Sequence, residues 1–260
     1  MGADETMTVE AGRRIFVALD TPDIALATKT AAALKGHVGG VKLGKEFFTA
    51  NGPGGVMAVS LAQLPIFLDL KFHDIPNTVA GAVRAIGHIE LAMMTVHASG
   101  GLEMIRAACE EAAQSAAKFG TPKPLILAVT VLTSLSDSDM PGLGISGSVA
   151  DQVYRLADLA QKAGADGIIC SPHEVADLRA RLGPDFRLVV PGIRPAGSEA
   201  DDQQRVMTPN EAVAQGADYL VIGRPITQSD NPVTAADAIA TEIDTEVDTK
   251  IITQNQGIGG

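Results

Sequence analysis

The densest group of ionisable residues in the chain is the run Asp69-Leu70-Lys71-Phe72-His73-Asp74-Ile75-Pro76-Asn77-Thr78. Asp69 and Lys71 stand two apart in an apolar stretch, so on a strand their side chains leave on the same face. Asp74 follows in a loop, from which it can approach that pair or reach outward. An ammonium beside a carboxylate at about 4 Å gains roughly 4 kcal/mol at an effective dielectric near 20. Such flanking keeps Lys71 protonated, a poor Schiff-base nucleophile but a good fixed cation and proton donor. The competing reading is a purely structural salt bridge. Desolvation argues against it, because buried pairs rarely repay their cost in stability.

Two arginines form a second group. Arg194 lies in Val190-Pro191-Gly192-Ile193-Arg194-Pro195 and Arg224 in Val221-Ile222-Gly223-Arg224-Pro225. An arginine beside a glycine-containing turn offers a bidentate fork together with backbone N–H groups, the chemistry a phosphate favours. The polar stretch 195–205, with Gly197 as a hinge and Gln203 within it, is placed to close over such a phosphate. Further polar residues at the ends of apolar runs are Asp20, Lys42, Thr130 and Thr133. His73 and His97 read as hydrogen-bonded structural residues with general-acid chemistry as the alternative, and His37, His88 and His173 as surface residues. No H-x-x-x-H, His/Cys cluster or acidic calcium loop is present, so no metal site is expected. No G-x-G-x-x-G follows the first strand, which removes a dinucleotide site.

These residues need elements to hold them. Strands are expected at Arg13–Asp20, Gly39–Gly44, Pro65–Phe72, Met93–Ala98, Leu125–Leu132, Gly167–Pro172, Arg187–Ile193 and Tyr219–Arg224. Most are continuous apolar runs, as for parallel strands covered on both faces. They recur about every 29 residues, room for a strand, a turn and a crossover helix. Thr21-Pro22, Ile75-Pro76, Ser171-Pro172 and Thr208-Pro209 read as helix starts, and Gly36, Gly120, Gly164, Gly183 and Gly216 as stops. AGADGII at Ala163–Ile169 is echoed by QGADYLV at Gln215–Val221, each a helix end turning into a strand. Strict alternation favours an α/β chain folded as a single (β/α)8 barrel over an open doubly wound sheet. In a barrel every βα loop lies on one rim, where active sites sit. Asp20, Lys42, Asp69, Lys71, Thr133, Arg194 and Arg224 all fall there. The expected division is an N-terminal extension 1–12, a barrel 13–243 and a flexible tail 244–260.

Composition narrows the partners. The 260 residues carry a formal charge of −11, 46% hydrophobic and 20% charged residues. That is ordinary globular composition. Lys and Arg are scattered, with no basic stripe to draw nucleic acid or an anionic membrane. Cys109 and Cys170 are expected to be buried structural thiols. No apolar run reaches the length of about 20 residues that a membrane span needs, and no secretory signal precedes the first strand. Gly2 and Thr6 fit the loose myristoylation pattern, but Asp4 and Glu5 give no basic second anchor, so the pattern is discounted. The expectation is a cytoplasmic protein.

The motif Asp69-x-Lys71-x-x-Asp74-Ile75-Pro76-Asn77-Thr78 resembles the signature of the bacterial-type orotidine 5′-monophosphate decarboxylases. Phe16–Asp20, Val41-Lys42-Leu43-Gly44, Val129–Ser134, Pro191–Pro195 and Ile222–Arg224 resemble the same family in order, from about Arg13 to Ile243. The resemblance implies decarboxylation of orotidine 5′-monophosphate to UMP and CO2 in pyrimidine biosynthesis, without a cofactor. It implies Lys71 as proton donor to C6, within a charge network of Lys42, Asp69, Lys71 and Asp74. Asp20 and Lys42 would hold the ribose hydroxyls and Thr133 would lie near base and ribose. Gln203, Arg194, Gly223 and Arg224 would grip the phosphate. It further implies a homodimer in which Asp74 and Thr78 reach the partner's site. The rivals are a Mg2+-dependent barrel decarboxylase of keto-sugar phosphates, a Schiff-base aldolase and a barrel that only binds a phosphorylated ligand.

Overall fold

The computed structural model describes residues 10–195 and 207–256, with side chains through residue 244. Eight parallel strands close into a barrel in sequence order: β1 (Ile15–Ala18), β2 (Gly40–Gly44), β3 (Ile66–Phe72), β4 (Met93–His97), β5 (Leu125–Val129), β6 (Gly167–Ile169), β7 (Arg187–Pro191) and β8 (Tyr219–Ile222). β8 pairs back onto β1 with Ile15 opposite Leu220. All eight expected strands are present and each is shorter than the apolar run that signalled it. In all but β2 and β3, which are shorter at their starts, the run continues past the ladder into the rim loop. Thr130 lies in one such continuation. Its hydroxyl donates to the Ile169 carbonyl at 3.0 Å, bracing the loop rather than facing a ligand.

The helices are α1 (Ile24–Leu34), α2 (Lys45–Ser60), α3 (Pro76–Ile86), α4 (Leu102–Phe119), α5 (Val149–Lys162), α6 (Val175–Leu182), α7 (Pro209–Ala214), the short α8 (Arg224–Thr227) and α9 (Pro232–Gln256). Their boundaries follow capping chemistry. Thr208 caps α7 with Glu211 returning the bond, and Gly120 ends α4 in the left-handed conformation at φ 68°. α1 does not start at Thr21-Pro22. Its cap is Asp23, whose carboxylate accepts from the Ala25 and Leu26 amides, while the Thr21 hydroxyl accepts from the Asp23 amide. Asp outranks Thr as a cap, and here it wins by two residues. At the C-terminus α9 runs on to Gln256, so most of the segment read as a tail continues a helix. At the other end Ala11, ahead of the range assigned to the barrel, is buried in the core.

The core has two layers. Aliphatic side chains on the outer faces of the strands, such as Val17, Leu43, Leu68 and Ile126, pack against the helices. Inside the barrel, Phe16, Ala18, Phe67, Met93, Leu127, Val189 and Val221 fill the axis. Phe16 makes edge-on contacts with Phe67 at 6.2 Å and Tyr219 at 5.6 Å between ring centroids. Gly40 makes room for that ring, since a Cβ there would stand 2.4 Å from Phe16 Cε1.

The two GAD phrases acquire a common meaning. Asp166 and Asp218 each precede a strand and each accept the backbone N–H of the second residue of the neighbouring strand, Ile126 and Leu188, both at 2.8 Å. Lys123 pairs with Asp166, and Arg179 and Arg187 pair with Asp218. The repeat is therefore a clamp at the base of the barrel, at the end opposite the rim.

Candidate active site

Period-two alternation sends Phe67, Asp69 and Lys71 into the barrel and Ile66 and Leu68 toward the helices. Asp69 is 9% exposed and lies at the centre of a row of charges. Lys71 Nζ donates to both its oxygens at 2.8 and 2.7 Å, and Lys42 Nζ stands 3.7 Å away on β2. Lys42 also reaches Asp20 at 3.3 Å, just past β1. The order Asp20–Lys42–Asp69–Lys71 thus alternates in sign across three adjacent strands. Burial alone would raise the Asp69 pKa. The charges of Lys42 and Lys71, with hydrogen bonds from Lys71 and Thr95, outweigh it and hold the carboxyl below its usual value.

The backbone at this point is strained. Lys71 takes φ 53°, in the left-handed region that side chains other than glycine rarely adopt, and the β3–β4 register shifts between Leu68 and Phe72. Such a conformation costs about 1–2 kcal/mol and persists only where its surroundings enforce it. Thr95 does so. Its hydroxyl accepts from the Lys71 amide at 2.9 Å and donates to Asp69 Oδ1 at 2.9 Å. Thr95 was missed in the sequence. Its one signal is a buried hydroxyl in the otherwise apolar run Met93–Val96, which does not say what the hydroxyl meets.

Above this row opens a cavity of about 310 Å3, lined by Asp20, Lys42, Asp69 and Lys71 on one side. Gly192, Arg194, Gly223 and Arg224 line it on another, and Thr133 with Val129, Val131 and Leu132 complete the wall. That size suits a small ligand with one apolar and several polar faces. Cys170 also lines it, again unforeseen, but burial raises its thiol well above the usual value, so it is no thiolate at neutral pH. Burial likewise pushes the Cys109 thiol up to about 11. Among the described residues no three His, Cys, Asp or Glu side chains converge to hold a metal ion, and no helix is long and apolar enough to cross a membrane.

The site brings together all but three of the residues expected in it. Asp74 takes the outward alternative, exposed, with its carboxylate accepting from the Ile75 amide at 2.7 Å and no contact to Lys71. Within this chain the row instead gains Asp20 at its opposite end, beside Lys42. Thr78, in the first turn of α3, is also exposed and outside the cavity. Gln203 and the loop 196–205 lie outside the described residues.

A family model described as orotidine 5′-phosphate decarboxylase / HUMPS family matches residues 13–239, all eight strands. The chain belongs to this family. It is 56% identical over 229 residues to the orotidine 5′-phosphate decarboxylase of Paramagnetospirillum magneticum, covering 88% of this chain and 97% of that relative. The Rhodospirillum rubrum orotidine 5′-phosphate decarboxylase is 56% identical over 230 residues, covering 88% and 93%. Among solved structures, orotidine 5′-phosphate decarboxylase from Lactobacillus acidophilus superposes with a TM-score of 0.77 at 39% identity, covering 88% of this chain and 98% of the other.

Proposed function

We propose that this chain is an enzyme that decarboxylates orotidine 5′-monophosphate to UMP and CO2, the closing step of pyrimidine nucleotide synthesis. The observation that carries the reading is the alternating row Asp20–Lys42–Asp69–Lys71 on one wall of a cavity whose other end holds Arg194 and Arg224. Breaking the C6–carboxylate bond leaves an electron pair on C6 with no adjacent carbonyl to take it. The site must therefore supply the stabilisation itself. An ammonium fixed beside C6 opposes the developing charge and gives C6 the proton that takes the place of CO2. Lys71, held on two sides before substrate arrives, is preorganised for both roles. Asp69 faces the departing carboxylate. Asp20 and Lys42 meet the ribose hydroxyls, Thr133 lies by base and ribose, and Arg194, Gly223, Arg224 and Gln203 hold the phosphate. Phosphate contacts remote from C6 supply binding energy for orientation and loop closure. The strong relatives that carry the decarboxylase name support this substrate over a keto-sugar phosphate.

The active unit is a homodimer with shared sites. The run His73–Thr78 lies exposed on the rim, and Ile75 within it is 66% exposed, an apolar side chain in need of cover. Asp74 is exposed and accepts from the Ile75 amide rather than pairing with its own Lys71, which supports a role in completing the charge row of a second copy. A phosphorylated nucleotide does not cross membranes unaided, which fits a cytoplasmic enzyme.

The test is the ultraviolet decay of orotidine 5′-monophosphate with purified protein, with and without EDTA. Conversion to UMP at the same rate in both supports a cofactor-free decarboxylase. No conversion, or conversion abolished by EDTA, overturns it in favour of a binding protein or a metal-dependent sugar-phosphate enzyme.

A further inference from the structure

β4 ends at His97, whose imidazole packs against that of His73 with ring centroids 5.5 Å apart and planes inclined by 39°. His73 sits between Lys71 and Asp74, in the strained turn that leaves β3. Neither imidazole makes a hydrogen bond among the described residues, so the expectation of hydrogen-bonded structural histidines does not hold there. The turn after β4 is shaped to admit the pair. A Cβ on Gly100 would stand 3.2 Å from His73 Cδ2 and 2.1 Å from Met104 Sδ. β4 thus grips the emerging β3 turn twice, with the Thr95 hydroxyl on Lys71 and Asp69 and with the His97 ring on His73. The second grip lies one residue before Asp74, whose carboxylate, among the described residues, bonds only its neighbour's amide.

We infer that His97 is a positioning residue, which through the His73 ring sets the course of the 73–78 segment and hence the place at which Asp74 and Thr78 are presented. The inference rests on the proposed function insofar as those two residues serve a partner's site. The contact favours an uncharged ring. Burial lowers the His97 pKa, the charges of His73, Lys45 and Lys71 add to that, and Asp69 opposes it. What the ring contributes is shape, so another aromatic can replace it.

The experiment compares His97→Ala and His97→Phe in the full-length chain, by steady-state kinetics with orotidine 5′-monophosphate and by hydrogen–deuterium exchange across residues 73–78. The alanine variant is expected to lose about tenfold in kcat with KM within about threefold, as for a misplaced group that acts mainly in the transition state. Exchange in 73–78 should rise, and phenylalanine should restore both. Wild-type kcat and exchange in His97→Ala overturn the inference. So does equal impairment of both variants, which would mean that the imidazole nitrogens act themselves. If His97→Ala fails to fold, His73→Ala removes the same contact from its exposed side and is read in the same way. Should the parent chain not decarboxylate at all, the proposed function fails, and the exchange measurement alone decides the positioning role.

Discussion

Asp69 is the residue at which the competing forces are clearest. It is buried, which penalises its charge, and it survives as a carboxylate because Lys42, Lys71 and Thr95 surround it. A carboxyl whose folded pKa is lowered contributes stability that is present above the unfolded value and is lost as pH falls through the folded one. The protein should therefore lose stability in acid below pH about 4. Asp69→Asn should flatten that part of the profile, measured by urea denaturation between neutral and acid pH. Lys71→Ala should abolish turnover while leaving phosphate-dependent binding measurable by calorimetry; near-normal turnover would refute its role. Arg224→Ala should act chiefly on KM, and a loss confined to kcat would contradict a phosphate contact. Thr95→Val keeps the shape but strips the acceptor of the Lys71 amide and a donor to Asp69. A cost of about 1–3 kcal/mol in stability is expected, with a drop in kcat, read from denaturation and kinetics together.

At the scale of elements, β3 and β4 carry the chemistry, and the ends of the other strands carry the walls. Asp69 and Lys71 could be assigned to one face from spacing alone, because a strand's alternation is local. That Lys71 adopts φ 53° could not, since the strain is tolerated only because β4 brings Thr95 beneath it. The GAD clamps show the reverse division of labour. They lie at the base of the barrel, where they hold strand to strand without touching the cavity. Asp218→Ala leaves the mostly buried Arg179 and the Leu188 amide short of an acceptor, and should cost about 3 kcal/mol. The denaturation midpoint should fall with kcat unchanged. Arg187→Ala, whose side chain is 45% exposed, should cost far less.

For the whole molecule, the position of Asp74 separates a self-sufficient barrel from a shared site. If two copies complete each other's charge rows, Lys71→Ala and Asp74→Ala damage different halves of one site. Mixing the two inactive variants then gives hybrid dimers with one intact site each, and activity should return toward about a quarter of wild type on random exchange. A mixture that stays inactive, under conditions in which subunits exchange, would refute sharing.

The fold class and nearly all of the polar lining were legible in the sequence because each rests on a local signal: apolar runs at a regular spacing, a cap at a helix start, polar residues just past a strand's end. Asp20, Lys42, Asp69, Lys71, Thr133, Arg194 and Arg224 were found in this way, and the cavity gathers them. Where local signals competed, as between Thr21 and Asp23 for the α1 cap, the tertiary structure chose the stronger acceptor in reach of the free amides. Thr95, the His73–His97 contact, the outward turn of Asp74 and the strain at Lys71 were decided only by the closed barrel. Each depends on which strand lies beside which and in what register, and that geometry exists only when the chain has folded.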